Sequence, residues 1–174
     1  MISYHFTGLA KIISGGQTGS DQAGLYAAKK MGIQTGGSIG KGFRTVAGNN
    51  PSLAQFNLIE CTTSAYPHRT KANALAGDAT VRLASNFQSA GEILTLNACI
   101  SYKKPVCDIK LDGTSHDEKA ELLATFIQEN SVQVLNVAGN ADRDKEFGFH
   151  FHDASIILEK AFQLLDARGM LVRL

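Results

Sequence analysis

Residues 14 to 21 read Ser-Gly-Gly-Gln-Thr-Gly-Ser-Asp, and this stretch decides the fold. It follows a short apolar run that ends at Ile13 and precedes an alanine-rich amphipathic segment, so the pattern predicts a strand, a glycine loop and a helix. Glycine permits positive φ and close approach of the backbone to a ligand, and a helix N-terminus offers unpaired N–H donors. The loop from Ser14 to Asp21 therefore predicts a phosphate site or, as the alternative, a tight turn that holds no ligand.

The spacing of this loop excludes the two commonest nucleotide motifs. A Walker A loop ends in Gly-Lys-Ser or Gly-Lys-Thr, and the dinucleotide fingerprint is G-x-G-x-x-G. Residues 14 to 21 match neither pattern. Asp21 falls in the first turn of the expected helix, where a carboxylate caps the backbone or accepts a hydrogen bond from a ribose hydroxyl or a base amino group.

Composition places the chain among ordinary globular proteins. Its 174 residues suit one domain spanning residues 1–174, and 44% of them are hydrophobic, 19% are charged and the formal net charge is +1. This balance lacks the basic excess of a bulk nucleic-acid binder, and no apolar run approaches the length of a membrane helix. Three cysteines without C-x-x-C spacing indicate neither a disulfide framework nor a structural zinc site. We expect a cytoplasmic protein with reduced thiols.

Hydrophobic periodicity predicts an α/β chain. A helix is expected over Ser20–Met31, two later amphipathic stripes are centred on Leu123 and Leu158, and Gly40–Ser52 reads as a long functional loop. Strands are predicted at Gln34–Ser38, Asn57–Cys61, Ala79–Ser85, Pro105–Ile109 and Val132–Val137. This order favours a mostly parallel sheet with helices on both faces, whose strands point their carboxyl ends to one edge. The loops expected to converge there are Ser14–Asp21, Gly40–Thr45, Thr62–Thr70, Asn86–Glu92 and Ala138–Arg143.

Several side chains invite a chemical interpretation. Lys41, Arg44 and Arg69 fall in polar loops after predicted strands. They are either phosphate ligands, since arginine binds phosphate through two parallel hydrogen bonds, or ordinary solvated cations. His150–Asp153 contains His-x-His, but no further ligand cluster supports a metal, so we interpret it as a partly buried aromatic edge before the last helix. No Gly-x-Ser-x-Gly elbow occurs and the sequence assigns no partner to any histidine, so a serine hydrolase is not indicated.

The glycine loop, Gly36-Gly37 and Lys41-Gly42-Phe43-Arg44 resemble the start of the "putative molybdenum carrier" family. Later segments agree in order, at Tyr66-Pro67-His68-Arg69-Thr70, Gly77-Asp78-Ala79-Thr80 and Leu135-Asn136-Val137-Ala138-Gly139. The resemblance spans about residues 11–165. It implies a Rossmann-like fold in the nucleotide-sensing superfamily that includes lysine-decarboxylase-like phosphoribohydrolases and DNA-processing protein A, and it implies a homo-oligomer.

The chain also departs from this family. Thr45-Val46-Ala47 replaces acidic residues after the Lys-Gly-x-Arg stretch, and Ala-Gly-Pro-Arg is replaced by Ala138-Gly139-Asn140-Ala141-Asp142-Arg143. The phosphoribohydrolases carry Pro-Gly-Gly-x-Gly-Thr-x-x-Glu, and in Asn86–Thr95 the acidic residue is Glu92, at a different position from that glutamate.

We therefore expect a non-catalytic binding protein for a phosphate-bearing small molecule, a nucleotide derivative or a molybdenum or pterin-type cofactor. The alternatives are a nucleotide-processing hydrolase of phosphoribohydrolase type, with Glu92 or Asp21 as acid or base, and an interaction scaffold with a vestigial pocket. The ligand-binding residues expected are Ser14, Gly15, Gly16, Gln17, Thr18, Gly19, Asp21, Lys41, Gly42, Arg44, Arg69, Thr70, Ser89, Gly91, Glu92, Gly139 and Asn140.

Overall fold

The computed structural model describes residues 6–143 and 146–174. Its strands, in chain order, are β1 (Lys11–Ile13), β2 (Gln34–Gly36), β3 (Ser38–Ile39), β4 (Arg44–Thr45), β5 (Gly48–Asn49), β6 (Ile59–Glu60), β7 (Ala79–Ala84), β8 (Val106–Lys110) and β9 (Val134–Gly139). Its α-helices are α1 (Ser20–Lys30), α2 (Tyr66–Ala76), α3 (Ala90–Ser101), α4 (His116–Glu129) and α5 (Phe149–Ala167), and a 3₁₀ helix spans Pro51–Phe56.

Five strands form a parallel sheet in the order β2-β1-β9-β7-β8. The last strand of the chain thus occupies the centre, where Leu135 lies between Ile12 of β1 and Ala79 of β7. Two small sheets lie outside it, a parallel pair of β3 with β6 and an antiparallel hairpin of β4 with β5. The predicted α/β architecture with a mostly parallel sheet is confirmed.

Helices cover both faces of the sheet. On one face α1, α4 and α5 pack together over the largest core, which includes Leu83, Leu123, Leu135 and Phe162. On the other face α2 packs on α3 around a smaller cluster of Ala74, Ala98 and Cys99. The chain is therefore a three-layered Rossmann-like fold, in which ligand sites are expected at the carboxyl ends of the strands where the strand order reverses.

Three elements differ from the sequence expectation. The predicted loop Thr62–Thr70 ends early, because α2 begins at Tyr66 with Pro67 at the start of the helix, where proline is favoured. The strand expected at Asn57–Cys61 is only the short β6, and it lies outside the five-stranded sheet. The long loop Gly40–Ser52 contains the hairpin of β4 and β5.

Candidate functional site

A cleft of about 930 Å³ opens at the carboxyl ends of β1, β9 and β7. The first turns of α2 and α3 form part of its wall, through Tyr66, Arg69, Ala90 and Gly91. Its polar lining residues include Gln17, Asp21, Arg69, Thr70, Asn73, Ser85, Asn86, Ser89, Glu92, Thr95, Asn136, Asn140, Asp142, Arg143 and His150. The cleft lies at the sheet edge where the loops were predicted to converge.

Three backbone N–H groups of the glycine loop already have acceptors within the chain. The Asp21 carboxylate accepts a hydrogen bond from the backbone N–H of Gln17 at 3.2 Å, and Ser14 Oγ accepts one from Gly16 N at 3.1 Å. The N–H of Thr18 is bonded to the Gln17 side chain at 3.0 Å. Three backbone donors of the loop are thus engaged by protein oxygens.

Arg69 is the buried cation beside this loop. Its side chain is only 7% exposed, Nη1 donates to the carbonyl of Gly15 at 2.9 Å, and the guanidinium lies 4.6 Å from the ring centre of Tyr66. The bond to Gly15 fixes the guanidinium at the cleft wall. This location on α2 agrees with the predicted proximity of Arg69 to the glycine loop.

Two carboxyl groups in the cleft have raised pKa values. Burial raises the pKa of Asp21 to about 6, although Arg69 and backbone N–H groups act in the opposite direction. Burial raises the pKa of Glu92 to about 7. The positive charge of Arg82 lowers this pKa, and the negative charges of Asp21 and Asp108 raise it further. Glu92 is 3% exposed, and its Oε2 atom has no hydrogen-bond partner among the described residues. Such a carboxyl can carry a proton near neutral pH and give it to a bound molecule.

Arg82 holds Glu92 and the start of α3 in place. It projects from β7, is 3% exposed, and bonds both oxygens of Asp108 at 2.8 and 2.6 Å. Its Nη1 donates to the backbone carbonyl of Glu92 at 2.9 Å and lies 3.8 Å from Glu92 Oε2. Nothing in the sequence indicated this role, because an arginine within a short strand usually points to solvent.

A hydrogen-bonded chain of three side chains lines the opposite wall. Ser85 Oγ lies 2.7 Å from His150 Nε2, and His150 Nδ1 lies 3.0 Å from Asp142 Oδ1. Asn140 braces the same region, since its Oδ1 accepts from the backbone N–H groups of Ser85 and Asn86 at 3.0 and 2.8 Å. Sequence alone assigned no partner to any histidine, whereas the structure gives His150 two. The contact joins the loops after β7 and β9 to α5, and no local spacing reveals it.

The structure brings ten of the predicted site residues into the cleft lining. They are Gly15, Gln17, Asp21, Arg69, Thr70, Ser89, Gly91, Glu92, Gly139 and Asn140. The other seven, Ser14, Gly16, Thr18, Gly19, Lys41, Gly42 and Arg44, are outside that lining.

The structure explains the positions of five of these seven residues. Lys41, Gly42 and Arg44 are exposed at the β4 hairpin. Gly16 and Gly19 have φ of +70° and +80°, and a Cβ there would lie 2.7 Å from the Ile39 side chain or 2.3 Å from the Asn140 carbonyl. The glycine requirement at these two positions is therefore explained by packing.

The remaining motifs have structural positions. His150 and His152 lie in the first turn of α5, one facing the cleft and the other exposed, so the expected edge before the last helix is part of the helix. Across residues 6–143 and 146–174 no three His, Cys, Asp or Glu side chains gather as a metal-ligand set.

Cys61, Cys99 and Cys107 are free thiols, and burial raises the pKa of Cys107 to about 11. None of the described helices is long and apolar enough to cross a membrane.

Comparisons with known proteins agree with this fold. The family model described as "Circularly permutated YpsA SLOG family" matches residues 12–150. A crystal structure from Syntrophus aciditrophicus SB, described as a "putative molybdenum carrier protein", aligns with a TM-score of 0.81 and 34% sequence identity over 89% of this chain and 96% of that one. The curated proteins contain no match. The family match covers most of the chain and includes the glycine loop, α2, α3 and β9, so the protein belongs to the circularly permutated YpsA SLOG family.

Proposed function

We propose that the protein binds a small molecule carrying a phosphate or a comparable oxyanion in the cleft at the carboxyl ends of β1, β9 and β7. The observation that carries this proposal is the buried Arg69, which is fixed at the wall by Gly15 beside the pocket. A held guanidinium loses little side-chain freedom on binding and donates two parallel hydrogen bonds to an oxyanion.

The first turn of α3 supplies further donors for the same group. Ala90 and Gly91 line the cleft, and no side chain among the described residues caps the N-terminus of this helix. The free N–H groups and the positive end of the helix dipole favour an anion at this end. Arg69 and the α3 N-terminus thus take the role that the sequence assigned to the glycine loop.

The donor set also narrows the ligand class. Guanidinium and amide N–H groups recognise oxyanions such as phosphate and molybdate, and no cysteine thiol occurs among the residues lining the cleft. A nucleotide derivative, a phosphorylated pterin cofactor and a molybdenum oxyanion all fit these donors. The name of the related crystal structure supports including the molybdenum oxyanion.

Replacing Arg69 by alanine should weaken the binding of a phosphorylated ligand by about 1.5–3 kcal/mol, the range for a hydrogen bond to a charged group. Isothermal calorimetry on ligands found by a thermal-shift screen of nucleotides, molybdate and inorganic phosphate measures this loss. Binding of the dephosphorylated analogue should hardly change. Equal losses for both ligands would show that Arg69 does not contact phosphate.

Arg44→Ala is the matched arginine variant for this experiment. Its side chain is exposed on β4 and lies outside the cleft lining, so we expect its affinity to remain close to that of the wild type. A loss as large as that of Arg69→Ala would instead support the original sequence prediction for Arg44.

A second function, hydrolysis of a nucleotide at its N-glycosidic bond, is favoured by Glu92. This carboxyl is buried in the cleft and burial raises its pKa to about 7, so it can hold a proton near neutral pH, as a general acid must. If the protein is such an enzyme, free base should accumulate when a nucleotide is incubated with it. Glu92→Gln should then slow the release by about 10²–10⁴-fold while binding survives. Recovery of intact nucleotide after hours with stoichiometric protein would contradict hydrolysis and leave binding as the proposed function.

A further inference from the structure

Ser85, His150 and Asp142 have the connectivity of a nucleophilic triad. The hydroxyl lies 2.7 Å from one imidazole nitrogen and the carboxylate lies 3.0 Å from the other. Such a constellation is recognised by geometry and by roles, whatever the order of the residues in the chain. We propose that Ser85 is an activated nucleophile and that the protein hydrolyses carboxylic esters of small molecules that enter the cleft.

The surroundings of Asp142 fix the histidine in the required tautomer. The carboxylate accepts hydrogen bonds from the backbone N–H groups of Gly148 and His150, each at 3.0 Å, and of Phe151 at 2.9 Å. A carboxylate with three N–H donors is held as an acceptor, so the proton of the imidazole is assigned to Nδ1, facing Asp142. Nε2 then presents its lone pair to Ser85 Oγ, as a general base must.

Each member is placed by a different element at the same edge of the sheet. Ser85 directly follows β7, Asp142 lies in the segment after β9, and His150 is the second residue of α5. The Ser85 carbonyl accepts from Lys110 Nζ and its N–H donates to Asn140, so the backbone that carries the hydroxyl is held on both sides. This arrangement orients the hydroxyl before a substrate arrives.

The same cleft offers donors for the oxyanion that forms during ester hydrolysis. The N–H of Ser85 is engaged by Asn140, so the donors must come from elsewhere. Ala90 and Gly91 in the first turn of α3 line the cleft, and in the described part of the chain no side chain caps the backbone N–H groups of that turn. Backbone N–H groups at a helix N-terminus stabilise a developing negative charge.

The reaction balances with water as the second substrate. Ser85 Oγ attacks the ester carbonyl carbon while its proton moves to His150 Nε2, and the leaving alcohol takes that proton as the C–O bond breaks. Water then attacks the acylated Ser85, gives one proton to His150 and releases the carboxylic acid, after which the proton returns to Ser85 Oγ. Nothing in these steps requires a phosphate on the substrate, so the esterase activity and the binding of an oxyanion can fail separately.

A fluorophosphonate probe and p-nitrophenyl acetate test the nucleophile directly. We expect mass spectrometry of the intact wild type to show one phosphonate adduct, located by peptide mapping on Ser85. Ester hydrolysis should lie above the rate in buffer, and Ser85→Ala and His150→Gln should each lower kcat/KM by about 10³-fold or more. Far-UV circular dichroism and melting temperature confirm that both variants are folded, since neither change removes an acceptor of the α5 backbone.

Two matched controls separate the triad from nonspecific reactivity. His152→Gln changes the exposed histidine two residues further along α5, and Ser101→Ala changes an exposed serine at the end of α3. Both should keep the wild-type labelling and rate. Absence of an adduct on Ser85, or wild-type hydrolysis by folded Ser85→Ala and His150→Gln, would overturn the proposal, and the affinity measured with Arg69→Ala is unaffected by either result.

Discussion

Replacing Gly139 by alanine is expected to remove about 4 kcal/mol or more of the free energy of unfolding, which is a large loss for one methyl group. The added Cβ would lie 1.9 Å from the backbone carbonyl oxygen of Leu83 in the neighbouring strand and 2.6 Å from Ser20 Cβ. It would occupy the space where Ser20 Oγ donates to that same carbonyl at 2.7 Å. Strand β9 would have to move away from β7 and from the start of α1, and backbone cannot give way as a flexible side chain does.

Urea denaturation followed by circular dichroism measures this effect. Gly91→Ala is the matched control, because Gly91 lies in the first turn of α3 with nothing within 4 Å of an added Cβ. There the substitution should raise stability by about 0.5–1 kcal/mol through helix propensity. Similar unfolding midpoints for Gly139→Ala and the wild type would contradict the close packing of β9 against β7 and α1.

Glu92 should make the protein less stable as the pH rises from about 4.5 to 7. Its pKa is about 7 in the folded chain, against 4.5 as the ordinary value, so the folded state binds more protons than the unfolded state within this window. The resulting loss is about 3 kcal/mol, complete above the folded pKa, or about 6–12 °C in melting temperature for a chain of this size. Asp21, whose pKa is about 6, adds a loss of the same sign.

Glu92→Gln should remove the glutamate's share of this pH dependence. The amide has no proton to lose, so the difference in melting temperature between pH 4.5 and pH 8 should shrink relative to the wild type. Glu129→Gln changes an exposed carboxyl at the end of α4 and should leave the wild-type profile unchanged. Parallel profiles for Glu92→Gln and the wild type would show that Glu92 titrates at its ordinary pKa.

The sequence predicted the fold well where local chemistry determines structure. Three glycines after Ile13 and the alanine-rich run after Ser20 gave the first strand, its loop and α1, which ends at Lys30, one residue before the predicted end. Parallel strands bring their carboxyl ends together, so Arg69, Glu92 and Asn140 were predicted at the same edge and line one cleft. The sequence could not distinguish the exposed basic residues of the β4 hairpin, Lys41 and Arg44, from residues that line the cleft, because the path of a loop depends on tertiary packing.

Two of the missed features rest on contacts between distant parts of the chain. Arg82 is buried in β7 and bonds Asp108 of the neighbouring strand β8. His150 contacts Ser85, which lies 65 positions earlier in the chain. The glycine loop was predicted to cradle an external anion, and the structure shows Asp21 of the following helix accepting from that loop. A single sequence carries no signal for the two distant pairings, since each requires the arrangement of the sheet to be known, whereas the Asp21 contact is local and agrees with the capping role that the sequence left open.

The position of β9 has a consequence for how the molecule forms. β1 and β7 do not pair with each other, and both depend on a strand that emerges from the ribosome about 120 residues after β1. Until that strand inserts, the sheet exists only as two edge pairs with exposed backbone, and closing such distant contacts slows folding. The cleft, whose lining includes Asn136 and Gly139 of β9, can therefore form only when β9 inserts between β1 and β7.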